Sequence, residues 1–228
     1  MADDDDRAPG YAGPDVDEYV ALAEDLRAAV AGEVRSDEYS QVLYATGGSV
    51  YQARPAGVAF PRADDDVAAA VRVAGDHGVP VLPRGAGSSL AGQAVGPGCL
   101  VLDLSRRMDD VVYPEAGDAT VQPGVVRDRL DAHLAQYGPK FAPDPAPSNR
   151  ATIGGGIGNN STGAHSVRYG MTDAYVDELR VVLADGSVIR TRDVVLDSDE
   201  WDAVTGKDDR EARSTGPSAP SSRTTPTR

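Results

Sequence analysis

The chain has 228 residues, 40% hydrophobic and 25% charged, enough to bury a core and too apolar for a wholly disordered polypeptide. Its formal net charge of −14, from 28 Asp and 8 Glu against 20 Arg and 2 Lys, repels nucleic acid and anionic lipid and sets aside a phosphate-backbone-binding role. No apolar run approaches the roughly 18 residues of a membrane span, no leader pattern opens the sequence, and one cysteine, Cys99, cannot make an internal disulfide or a four-cysteine metal site. The expected compartment is the cytoplasm. The acidity reads as adaptation to high salt, which screens self-repulsion because the Debye length falls to about 3 Å at 1 M.

Residues 1–13, acidic and then rich in Gly and Pro, are expected to be disordered. Val16, Tyr19, Val20, Ala23, Leu26, Ala29 and Val30 recur at helical spacing until Gly32, which predicts an amphipathic helix of about five turns. Residues 36–56 show no period and read as irregular. Strand and helix then alternate: a strand over 57–61, a helix opened by Asp64, Asp65 and Asp66 and ended by Gly78, and a strand over 79–83. Short strands follow at 99–104, 110–113 and 119–122, then a helix over 125–137 with Val126, Leu130 and Leu134 on one face. A long irregular stretch over 142–170 precedes a hairpin, 177–183 and 188–192, turned by Asp185-Gly186. Residues 213–228 contain no acid and no large apolar residue, so they are expected to lie outside any core.

Two glycine-rich segments carry the chemistry. The first, Pro83 to Gln93, follows a strand. Glycine lets backbone approach a ligand closely, and successive amides form an anion-holding nest. Arg84 adds a cation and Ser88 and Ser89 add hydroxyls, so a diphosphate is the natural occupant; the alternative is a tight turn without a ligand. The loop is neither a dinucleotide fingerprint, since Leu90 stands where the third glycine belongs, nor a P-loop, since no Gly-Lys-Ser/Thr occurs. The second segment, Ala142 to Gly170, holds six glycines in the seventeen residues from Gly154, too many for a packed helix or strand. Yet Ile153 and Ile157 demand burial, and a loop this long in a compact domain is usually functional or disordered. His165 either faces a ligand or is a hydrogen-bonded loop residue. His77 and His133 near helix ends read as structural or exposed, Cys99 as a small buried residue and Trp201 as packing.

Six pieces stand in a familiar order: ARPAGVAFPRADDDVAAAV (53–71), VPVLPRGAGSSLAG (79–92), VLDLSRRM (101–108), ATVQPGVV (119–126), FAPDPAPSNRATIGGGIGNNSTGAHSVRYG (141–170) and VDELRVVLADGSVI (176–189). Together they resemble the FAD-linked oxidase family, with its PCMH-type FAD-binding domain of the vanillyl-alcohol-oxidase type. Within it they resemble the D-lactate, glycolate and D-2-hydroxyglutarate dehydrogenase branch. The resemblance spans residues 40–195 and implies an α+β fold with two subdomains around FAD. It divides the chain into an N-terminal helix over 14–35 and a C-terminally incomplete FAD-binding domain over 40–212.

The resemblance further implies that the first loop meets the diphosphate through Arg84, Gly85, Ala86, Gly87, Ser88, Ser89, Gly92 and Gln93. The second would run along the diphosphate and flavin through Pro143, Asp144, Thr152, Gly155, Gly156, Asn159, Ser161 and Gly163. Members that attach FAD covalently use a His in the first loop; Ser88 and Ser89 here imply noncovalent FAD. The implied chemistry is oxidation of a small 2-hydroxy acid, with hydride passing to flavin and electrons leaving to an acceptor. No catalytic base and no metal ligand is assigned. Family members run on past residue 228 into a substrate domain, so the chain by itself is expected to be inactive. With one choice of codons, an added base reads the start of 213–228 as Glu-Ile-Tyr-Arg-Thr-Val-Arg, and a noncatalytic FAD-binding fragment of a truncated or frameshifted gene is the alternative. An acidic binding module without flavin is a third reading.

Overall fold

A computed structural model of the chain describes residues 16–112, 118–192, 199–207 and 211. The expectations for 1–13 and 213–228, and for the Trp201 side chain, lie outside what it describes. The chain divides into two units: one holds the residues up to Val176 with Ala184–Gly186, and the other holds Asp177–Leu183 with Ser187 onward.

In the first unit, helix α1 (Val16–Ala29) buries Leu22, Ala23 and Leu26. It is shorter than its periodicity predicts, because the chain turns after Val30 into strand β1 (Glu33–Arg35), which pairs antiparallel with β2 (Gly57–Phe60). Helix α2 (Glu38–Tyr44) occupies a stretch that reads as irregular. Its cap is a carboxylate of Asp37 that accepts from the Ser40 amide at 2.9 Å, but Tyr39, Val42 and Leu43 are exposed, so no apolar face announces it.

Helix α3 (Asp64–Asp76) begins and ends as expected, with Gly78 at φ +64° beyond its end. Buried Asp66 accepts from the amides of Ala31 at 2.9 Å and Arg62 at 2.8 Å, which fastens the exit of α1 to the start of α3. Strand β3 (Val81–Arg84) starts later than the pattern suggests, because the Val79 amide still bonds the Ala74 carbonyl in the helix cap.

Strand β4 (Leu100–Asp103) lies between β2 and β3, parallel to both, in a sheet ordered β1-β2-β4-β3. Both β2 and β4 are buried along their whole length, which explains their unbroken apolar runs. One cluster joins Leu22, Leu26, Ala70 and Ala74 to Leu100 and Leu102; another joins Val58, Phe60, Cys99 and Val101 to Tyr44. Each fully buried Leu or Phe here contributes about 1.5–3 kcal/mol.

Strands β5 (Val111–Val112) and β6 (Thr120–Val121) form a short antiparallel pair. Helix α4 (Arg127–Leu134) is shorter than predicted, and the residues it buries are Arg127, Leu130 and Leu134, with Val126 only partly covered. Its core cluster also takes in Val125 and Ile153. In the second unit, β7 (Glu178–Val182) and β8 (Val188–Arg192) form the predicted hairpin, followed by the separate helix Asp199–Thr205. The architecture is α+β, as expected.

Candidate functional site

Strand β3 delivers Arg84 to the mouth of the first glycine loop. Its guanidinium does not reach outward. One Nη donates to the carbonyls of Tyr44 at 3.1 Å and Ala94 at 3.0 Å, the other to Thr46 at 2.8 Å, and the group sits 5.2 Å over the Tyr44 ring. The side chain expected at the diphosphate thus ties the loop to α2. Burial lowers its pKa, and the neighbouring Tyr44 and Asp103 push it back up. Tyr44 in turn donates its hydroxyl to Asp103 at 2.5 Å; burial and this bond raise the phenol well above its ordinary pKa. Asp103 also accepts from the amide and hydroxyl of Ser105, at 2.9 and 2.6 Å.

Gly87 has φ +66°, and a Cβ there would lie 2.6 Å from an Arg84 nitrogen. Gly92 has φ +87° and would place a Cβ 2.8 Å from the Tyr51 ring. A segment that the sequence reading missed, Thr46-Gly47-Gly48-Ser49, lies on this loop: the Gly48 amide donates to the Gly87 carbonyl at 2.7 Å. Its paired glycines were the available signal. Ala86 is exposed, Ser88 is partly exposed, and the Ser89 hydroxyl bonds the Gln93 side chain.

The second segment contains a helix, α5 (Ile153–Gly158), where glycine content argued against one. Thr152 caps it by accepting from the Gly155 amide at 3.3 Å, while Ile153 and Ile157 pack into the α4 cluster. Tertiary burial overrides the poor helix propensity of glycine. Hydrogens at the Cβ positions of Gly156 and Gly158 face open space, with nothing within 4 Å. Asn159 ends the helix and returns its side-chain amide to the Gly155 carbonyl at 3.0 Å. After it, a short helix α6 (Ser166–Tyr169) leads away.

Three other predicted contact residues make close contacts within the chain. Pro143 is fully buried. A Cβ on Gly163 would lie 1.9 Å from the Asp144 carbonyl oxygen, so this glycine serves its own chain's close approach. Ser161 donates its amide to Gly156 at 2.8 Å and accepts the Thr172 hydroxyl at 2.8 Å. The Asp144 carboxylate stands 3.1 Å from Arg127 and 3.3 Å from His165 Nδ1, and His165 is exposed.

The two loops, distant in sequence, meet twice. A Cβ on Gly85 would collide with Thr152 Oγ1 at 2.1 Å, and Gln93 donates to Asn159 Oδ1 at 3.3 Å. In this strongly acidic chain, residues 77–102 and 145–172 contain no Asp or Glu. Backbone amides, hydroxyls and carboxamides thus line a zone free of loop carboxylates other than Asp144, which is ion-paired with Arg127. These residues fit a diphosphate-bearing ligand such as FAD. Among the described residues no cluster of three or more His, Cys, Asp and Glu is placed to hold a metal.

Residues 55–192 match the family described as FAD binding domain. A D-2-hydroxyglutarate dehydrogenase of Pantoea ananatis is 35% identical over 194 residues, covering 82% of this chain and 18% of the relative. The glycolate oxidase subunit GlcD of Bacillus subtilis is 39% identical over 144 residues, covering 62% of this chain and 30% of the relative. The chain therefore spans less than a fifth of the length of the D-2-hydroxyglutarate dehydrogenases it matches. Among solved structures, xylooligosaccharide oxidase of Myceliophthora thermophila C1 superimposes with TM-score 0.66 at 29% identity, covering 75% of this chain and 37% of that one. p-Cresol methylhydroxylase superimposes with TM-score 0.67 at 23% identity, over 77% of this chain and 35% of its own, a likeness of fold alone.

Proposed function

The chain belongs to the FAD binding domain family, with FAD as its cofactor and the α+β fold of vanillyl-alcohol-oxidase-type flavoproteins, and from that premise we propose that it is the FAD-holding part of a flavin-dependent oxidoreductase of small 2-hydroxy acids. The observation that carries the reading is the meeting, at Gly85–Thr152 and Gln93–Asn159, of two glycine loops whose stretches 77–102 and 145–172 hold no acid. In this reading the backbone of Gly85 to Ser89, with the Ser88 hydroxyl, holds the diphosphate. Thr152, Gly155, Gly156 and Asn159 hold the second side. Bound FAD supplies hydride acceptance; the residues supply position and electrostatics. Ser88 and Ser89 offer no imidazole for a covalent link, so binding is noncovalent. The substrate class rests on relatives named for D-2-hydroxyglutarate, D-lactate and glycolate. The partners are then a hydroxy acid and an electron acceptor in the cytoplasm, and the net charge of −14 disfavours nucleic acid.

FAD binding is expected of this chain and turnover is not. Orienting the donor carbon against flavin supplies about 7–11 kcal/mol of barrier lowering and needs a shaped, water-poor pocket. The test is titration of the purified chain with FAD, followed by flavin fluorescence, with ADP as competitor. Saturable binding that ADP displaces is the expected result. Absence of binding at about 1 mM FAD, a free energy weaker than about −4 kcal/mol, removes the cofactor reading. Dye reduction at about 1 per second or faster with D-2-hydroxyglutarate, D-lactate or glycolate removes the expectation of inactivity.

A further inference from the structure

Resting on the FAD reading, we propose that Arg127 is the positioning residue of the cofactor site: through Asp144 it closes the neck of the second glycine loop and so fixes Thr152 to Asn159 in the geometry that receives FAD. Arg127 opens helix α4 and is 5% exposed. A cation is out of place at a helix N-terminus, where the dipole favours anions, and burial removes its water. It is retained by three carboxylates: Asp131 at 3.1 Å, Asp144 at 3.1 Å and Asp128 at 3.4 Å. It also donates to the Phe141 carbonyl at 3.4 Å, while its Nε is buried without a hydrogen-bond partner. So demanding an arrangement serves little purpose as surface decoration.

Its purpose lies in what it joins. The side chain grips the near limb of the loop at Phe141 and Asp144. The Arg127 backbone amide grips the far limb, donating to the Ala151 carbonyl at 2.9 Å, and the next amide, Asp128, donates to Ser148 at 3.2 Å. Asp144 then reaches across the neck. Its carbonyl accepts from the Ala164 amide at 3.2 Å, its carboxylate meets His165 Nδ1 at 3.3 Å, and Gly163 has no Cβ so that the strands can touch. One buried arginine thus holds both limbs of the segment that carries α5, and the closed neck lowers the entropy that the loop would lose on binding. The arrangement also reassigns Asp144. A carboxylate aimed at an anionic diphosphate repels it; the Asp144 carboxylate is directed at Arg127 and His165 instead.

The experiment is a double-mutant cycle on the full chain, reading FAD affinity by flavin fluorescence, fold by far-UV dichroism, and loop closure by proteolysis within 145–162 without FAD. Arg127→Met and Asp144→Asn are each expected to weaken FAD about tenfold, and the double variant no more than about twofold beyond the weaker single. Both singles should be cleaved faster in the loop. Arg127→Lys, which keeps the charge and loses the fork, should recover part of both losses. Multiplying losses in the double variant overturn the proposal by placing Asp144 against FAD itself, as does parental affinity in Arg127→Met. If Arg127→Met does not fold, the Lys and Asn variants decide: parental affinity in both overturns the proposal, and graded loss with graded cleavage supports it. A parent chain that binds no FAD at all defeats the cofactor reading first, and the positioning role with it.

Discussion

The first glycine loop uses glycine where its own chain leaves no room, whereas the second also places glycine where nothing faces it. Gly85, Gly87 and Gly92 each back onto a protein group: Thr152, the Arg84 guanidinium and the Tyr51 ring. Gly156 and Gly158, on α5, back onto open space. The first loop is braced from behind by uncharged acceptors, three carbonyls around one arginine. The second is braced from behind by charge, three carboxylates around another. The contrast teaches that a glycine-rich motif mixes two requirements. Some of its glycines let the protein touch itself, and others face open space.

The sharpest way to break this comparison is Gly163→Ala. The methyl would overlap the Asp144 carbonyl, backbone against backbone, and open the neck. A loss of about 3 kcal/mol in urea unfolding is expected; a loss under about 0.5 kcal/mol would mean that the neck relaxes freely. Gly87→Val comes next. A β-branched residue at φ +66° beside Arg84 should cost about 2 kcal/mol and abolish FAD retention, with far-UV dichroism little changed. FAD affinity equal to the parent's would remove this loop from the diphosphate site.

A smaller effect concerns the sheet behind the first loop. Burial pushes the Cys99 thiol from an ordinary 9.0 up to about 11. Because the folded value is the higher, the stabilisation is complete below pH 9 and is lost as pH rises through 11, where the unfolded chain has already released its proton. Cys99→Ala should therefore lose less stability than the parent between those limits, read as melting temperature against pH. Equal alkaline losses would show that Cys99 does not titrate with unfolding. The smallest change in stability, and the most informative, is Gly156→Ala. Replacing an open helical glycine should raise stability by about 0.5–1 kcal/mol while weakening FAD binding. Unchanged FAD affinity would turn the open face of α5 away from the cofactor.

The hairpin 177–192 and the β2–α3–β3 succession were legible because each has a periodic pattern bounded by turn residues. Helix α2 was not, since Tyr39, Val42 and Leu43 face outward and Tyr44 alone of its large apolar groups packs inward. Helix α5 was misread because local propensity speaks against glycine, while the burial of Ile153 that favours it acts through distant residues. The candidate site was visible as a pair of loops, but the task of each residue was not. Pro143, Gly163 and the Arg84 side chain look the same in a sequence whether they serve the ligand or the frame. Arg127 with acids at the next and fourth positions reads as a solvated helix face. Only its burial shows otherwise.

The placing of β4 between two earlier strands has a consequence for the chain while it is being made. Strands β2 and β3 leave the ribosome first, and each exposes an inner edge that only β4 covers. At about 5–20 residues per second, those edges wait about one to four seconds for residue 103 to follow residue 84. The intervening stretch is rich in glycine and holds no strand that could cap them meanwhile. A translational pause there would lengthen the interval in which two nascent chains can pair edge to edge, and a chaperone gripping this stretch would protect the most vulnerable moment of its synthesis.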